Sequence, residues 1–195
     1  MTKIIYNFLD IIPYYFVNLL YVLKMNKLKV QYIYLSMKTI IHDLKFLDKD
    51  YFNFTEDDVI INANDCQNSC IGCFSCWIKH PKICIYKDDF SNITEALKNS
   101  DELIIISKNR FGCYSENVKR VLERCIGYVL PYFTIRDKHI HHASRYNKKL
   151  KLTTYFYGDM TDRDLECLDE LVKANNINLN GSNYEIKVIK NVYIN

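Results

Sequence analysis

Four of the chain's eight cysteines fall within one short stretch, CIGCFSCWIKHPKIC (70–84), beside its only tryptophan. Thiolates are nucleophiles and soft metal ligands, so their spacing is the first chemical signal. Cys70, Cys73 and Cys76 form two Cys-x2-Cys steps that share Cys73, and Cys84 supplies a fourth sulfur. Four thiolates in one short loop meet the count for an iron–sulfur cluster, and Gly72 permits a tight turn between two of them. Zinc more often takes two separated pairs, although Cys66, Cys70 or His80 could complete a zinc set. Three further readings stay open: a redox disulfide, a disulfide knot, or small apolar side chains packed together.

The redox compartment weighs against the knot. The amino-terminal stretch MTKIIYNFLDIIPYYFVNLLYVLK is interrupted by Asn7, Asp10, Pro13 and Asn18, and no small-residue cleavage site follows it. It reads neither as a signal peptide nor as a membrane span, which needs about 20 mainly apolar residues. The expectation is a cytoplasmic protein with reduced thiols. The chain has 195 residues, 49% of them apolar and 25% charged, enough for one domain with a core. A net charge of +3 with scattered basic residues argues against a nucleic-acid reader.

The elements that must position the cysteines follow from periodicity. Strands are expected at KTIIHDL (38–44), DDVIINAND (57–65), DELIIISK (101–108), LKLTTYFYG (150–158) and EIKVIKN (185–191). The continuous apolar run in 101–108 marks a strand buried on both faces. Helices are expected over 88–100 and over 115–130, where Val118, Val121, Leu122, Cys125 and Val129 share a face. Another follows Thr161, a capping residue, and carries Leu165, Leu168, Leu171 and Val172. Strands alternating with helices predict an α/β doubly wound sandwich with a parallel sheet. Ligands bind such sheets beyond the carboxyl ends of the strands. That directs attention to the cysteine loop, to SKNRFGCYS (107–115) and to YGDMTD (157–162). The cluster His139, His141, His142 with Arg145 lies in a long basic connection without nearby carboxylates. It reads as structural or interfacial, with a phosphate or substrate contact as the minority alternative.

The stretch CIGCFSCWIKHPKICIYKDD, a following helix, and DELIIISKNRFGCYSENVKRVLER resemble the flavodoxin-like NADPH-dependent FMN reductase family. The likeness covers roughly residues 57–175 and is greatest to its iron–sulfur flavoprotein branch. It implies a central five-stranded parallel sheet, FMN as cofactor, NAD(P)H as electron donor and a [4Fe-4S] cluster on Cys70, Cys73, Cys76 and Cys84. It also implies flavin contacts from Ser107, Asn109, Arg110, Phe111, Gly112, Cys113 and Tyr114, and from Tyr157 and Gly158. The partners so implied are a small-molecule or protein electron carrier and further copies of the chain; the scattered charge and the broken amino-terminal stretch argue against nucleic acid and membrane. Residues 37–195 would form the flavodoxin-like domain, with residues 1–36 either an amino-terminal extension or a first β-α unit. The family's phosphate loop after the first strand has no counterpart: no glycine precedes Gly72. That departure carries an alternative, a non-catalytic relative that acts as a binding or interaction protein.

Overall fold

The computed structural model describes residues 36–136 and 138–189. The expectations for residues 1–35, and for the end of the last strand beyond Ile189, lie outside the described residues. Strand β1 (Lys38–His42) alternates Ile40 and Ile41 onto opposite faces, and β2 (Val59–Asn62) pairs with it in parallel. Strand β3 (Glu102–Lys108) is buried along five successive residues, as its unbroken apolar run requires. It lies between β1 and the strand Leu150–Tyr157, in parallel with both. The last strand, Gly181–Ile189, pairs with Leu150–Tyr157.

Two short strands intervene in the chain. Val129–Arg136 (β4) and His139–Ser144 (β5) pair antiparallel as a separate ribbon, so Leu150–Tyr157 is β6 and Gly181–Ile189 is β7. The main sheet has the order β2-β1-β3-β6-β7, all parallel. This is the doubly wound order in which the chain switches direction between β1 and β3. The five-stranded parallel α/β fold expected from the sequence is therefore present.

Three helices pack on one face of the sheet: α2 (Ile93–Asn99), α3 (Glu116–Arg124) and α4 (Asp162–Asn178), the four-residue α1 (Ser75–Ile78) lying in the cysteine loop. Their buried residues Leu97, Val118, Val121, Leu168 and Val172 join Ile41, Leu103, Ile105, Leu152 and Phe156 in one core. Thr161 caps α4 in a reciprocal box with Asp164. On the opposite face, Leu44, Phe54, Leu47 and Phe52 from the segment after β1 cover Ile40, Ile104 and Ile106. That segment, residues 43–58, contains turns and no helix. The helix expected over 115–130 stops at Arg124, where a 3₁₀ turn (Cys125–Tyr128) with Gly127 leads directly into β4. Among the described residues no helix is long and apolar enough to cross a membrane.

Candidate functional site

Two regions hold the residues that the sequence singled out. The first is the carboxyl edge of the sheet. There Arg110 and Cys113 bond each other's backbone at 2.9 and 3.1 Å, closing a tight turn through Phe111 and Gly112, both left-handed (φ 54° and 72°). Glycine suits its place, because an added Cβ would stand 2.6 Å from the Cys167 Cβ. The loop consumes its own polar groups. Asn109 accepts from the Gly112 amide (2.9 Å) and donates to the Asp159 carbonyl (2.8 Å). The Ser107 hydroxyl is buried, accepting from the Ser115 amide at 2.8 Å. Tyr114 turns inward onto Phe156 (ring centroids 5.4 Å apart) while Phe111 is 95% exposed. Tyr157 and Gly158 do arrive at this edge, as the Asn109 amide donates to the Tyr157 carbonyl at 2.8 Å.

One residue here was not anticipated. Asp43, at the end of β1, accepts the Lys108 amide (3.1 and 3.2 Å) and the Tyr157 hydroxyl (3.0 Å). It thereby ties the ends of β1, β3 and β6 together across the switch point. Burial first, and Asp43 second, push the Tyr157 phenol upward. In this fold a flavin phosphate needs amides and hydroxyls at a helix N-terminus after the first strand. Residues 43–58 have no helix, no glycine and a carboxylate at their head. A phosphate would meet like charge where it needs donors, so these residues do not fit the FMN phosphate.

The second region is the cysteine loop. A 3₁₀ turn (Ala63–Asp65) ends β2, and Cys66 follows it into the core. Gly72 (φ 64°) and Phe74 (φ 55°) then reverse the chain twice, and Phe74 opens α1. Trp77 fastens the loop from below, its indole N–H donating to the Ile126 (3.0 Å) and Val129 (2.9 Å) carbonyls. The ring lies parallel to Phe74 at 5.2 Å and meets His142 of β5 at 4.9 Å. Trp77→Phe keeps the stacking and removes the donor. We expect about 1–2 kcal/mol lower stability, read as a lower urea midpoint at unchanged slope.

Cys70, Cys73, Cys76 and Cys84 line one cavity of about 60 Å³, with Arg124 in its wall. Neither Cys66 nor His80 lines it. All eight cysteines are free thiols, so the disulfide readings find no bond here. Burial, followed by Cys70, Cys84 and Cys73, pushes the Cys76 thiol up. Among the described residues no three His, Cys, Asp or Glu side chains converge on one ion position as placed. The donor chemistry nevertheless fits a thiophilic centre: four soft sulfurs, one wall, short steps. Cys125, below the loop, is buried and pushed up to about 12 by desolvation, which makes it an inert structural thiol.

Arg124 was also unanticipated. Its side chain is fully buried on the core face of α3, forked onto Asp88 at 2.6 and 2.8 Å. The Asn68 amide supports Asp88 at 3.1 Å. Together, and Arg124 foremost, these bonds hold the Asp88 carboxyl down to about 2. Because the folded value lies below the unfolded one, the stability it contributes is complete above about pH 4 and fades as pH falls toward 2. We expect about 1–2 kcal/mol of acid-sensitive stability in the metal-free protein, and a flatter stability–pH curve for Asp88→Asn.

Of the histidine cluster, His141, His142 and Arg145 make structural contacts, while His139 is exposed. His141 Nδ1 meets the Asn178 Oδ1 at 2.8 Å, and His142 packs between Trp77 and Phe133. Arg145 donates to the Gly127 and Val129 carbonyls.

No family model and no curated protein matches the chain. Solved structures do. An NAD(P)H:quinone oxidoreductase from Methanothermobacter marburgensis is 11% identical, with a TM-score of 0.54 over 80% of this chain and 86% of that one. An FMN-dependent NADH-azoreductase from Bacillus anthracis, in complex with FMN, is 13% identical, with a TM-score of 0.52 over 80% and 87%. At such identities the likeness speaks for the fold: this chain shares the flavodoxin-like, five-stranded parallel architecture of these oxidoreductases.

Proposed function

We propose that the chain is a flavodoxin-fold redox protein whose electron-transfer centre is the four-cysteine cavity, with Cys70, Cys73, Cys76 and Cys84 as thiolate ligands of an iron–sulfur cluster. The observation that carries this reading is the shared cavity: four thiols from fifteen residues border one space walled by a buried guanidinium. A cluster held there would supply a one-electron carrier. The chain's own part is to wrap the sulfurs, keep water from the inner thiols, and anchor the loop through Trp77. Next to Cys70 and Gly72 an apolar depression of about 550 Å³ extends past Leu122, His142 and Leu179. Its size suits a small organic molecule, which supports a small-molecule electron carrier docking beside the thiols. Protein carriers and assembly of several copies belong to the same proposal.

A second reading is an NAD(P)H-dependent FMN reductase, the activity that the names of the two structural neighbours describe. It is favoured by the fold and by the turn 110–113 at the carboxyl edge, and disfavoured by Asp43. Anaerobic reconstitution with ferrous iron and sulfide, set beside titration with FMN, separates the two. The thiolate reading expects a broad visible absorption bleached by dithionite, and no quenching of FMN fluorescence. Tight FMN binding without iron uptake would establish the reductase reading instead. Uptake of neither would leave a non-catalytic binding protein.

A further inference from the structure

The cysteine loop does not account for everything in its cavity. Among the described residues Arg124 is the one cation that lines this cavity, and burying a guanidinium is costly unless it is paired and fully hydrogen-bonded. The pairing is incomplete. Asp88 takes two of its N–H groups, and Nη1 also reaches the Cys66 sulfur at 3.6 Å. Cys84 lines the same cavity as Arg124. The Nε–H is buried and has no acceptor. Tyr86 and Phe90 hold the guanidinium carbon 5.4 and 5.6 Å from their ring centres, so the group is fixed in place. An unspent donor and a positive charge therefore border a space ringed by four thiols.

We propose that Arg124 is a positioning residue of the four-cysteine centre: it supplies the fixed charge and the N–H donor that an anionic thiolate complex requires. This rests on the reading of the loop as a thiolate centre. Loading neutral thiols with a divalent ion, or with a cubane cluster, releases their protons and takes the site from neutral to a net dianion. A buried cation at the wall stabilises the loaded state over the empty one. Asp88 keeps the guanidinium from swinging away, as outer-shell partners do for metal ligands. Arginine is suited to both tasks at once, since its planar fork bonds the carboxylate and still keeps an N–H donor unspent.

The test uses the full chain under anaerobic conditions, with cobalt(II) as the probe and a metallochromic competitor to fix affinity. Arg124→Met with Asp88→Asn removes the pair as a neutral unit, so no charge is left stranded, and Arg124→Lys keeps the charge without the fork. Thermal melting of the metal-free proteins reports folding separately. We expect cobalt affinity about 10–100-fold lower in the double variant and partly restored with lysine. The reconstituted cluster should also shift to a lower midpoint potential once the charge is gone. A merely structural arginine would alter melting without moving the potential. Equal cobalt affinity and equal potential in wild type and double variant would overturn this proposal while leaving the thiolate centre standing. Failure of the wild type itself to bind cobalt would remove the centre, and with it the role given to Arg124.

Discussion

Cys76→Ala is expected to abolish stable loading of the cysteine cavity. Cys76 lies on α1, between the steps from Cys73 and toward Cys84, and its thiol is the one that the other three sulfurs perturb. Losing it leaves three donors, of which Cys73 is exposed. Cobalt(II) should then give no thiolate charge-transfer band at equimolar metal, and reconstitution should retain under a tenth of the wild-type iron. The metal-free variant should melt within a few degrees of wild type, because truncating a half-buried thiol costs only about 1 kcal/mol. Cys167→Ala is the control. That thiol is exposed on α4 and borders the carboxyl-edge turn, so loading should be unchanged. Wild-type cobalt binding by Cys76→Ala would show that the four sulfurs do not act together.

Phe156→Ala carries the largest expected effect on stability. Phe156 is fully buried in β6, beside β3, and stacks on Tyr114. Removing the ring leaves a cavity that neighbouring strands cannot close, at a cost of about 3–5 kcal/mol. Tyr114 would lose its support while its hydroxyl still meets the Asn175 amide, so the 107–115 loop should loosen as well. Urea unfolding measures the first effect and amide exchange of the loop measures the second. A loss below 1 kcal/mol would mean that the core relaxes around the gap.

Much of this architecture is legible from residues alone. Within DELIIISK the run Leu103–Ile106 offers no residue suited to face water, which marks a strand buried on both faces; LKLTTYFYG and the Thr161-capped helix are equally plain. The hairpin β4–β5 is hidden because VLPYFTIR follows directly on an amphipathic helix, and only Gly127 and Pro131 mark the change. Its partner strand, with three histidines, looks like a connection until Asn178 and Trp77 are seen to hold His141 and His142. The helix expected from Asp88 begins only at Ile93: the Asp88 carboxylate pairs with Arg124 and accepts the Phe90 amide at 3.2 Å, closing a turn ahead of the helix.

The candidate site was legible by half. Spacing brought Cys70, Cys73, Cys76 and Cys84 to one place, and the structure borders one cavity with them. The loop at 107–115 reaches the expected edge, yet Ser107 and Asn109 are spent on backbone groups around it, which no single-chain pattern reveals. Arg124 left a signal: it occupies a core-facing position of α3 after Val118 and Val121, where an unpaired charge is untenable. Asp43 left almost none, because a lone aspartate after IIH gives no hint that it will bridge three strands.

The decisive measurement is the metal, acid-labile sulfide and flavin content of protein purified under strict anaerobiosis, with its visible spectrum taken on the same sample. A thiolate electron-transfer centre predicts iron and sulfide in equal amounts, visible absorption that dithionite bleaches, and no flavin. Stoichiometric FMN without iron, or a colourless protein that takes up neither on reconstitution, would contradict it.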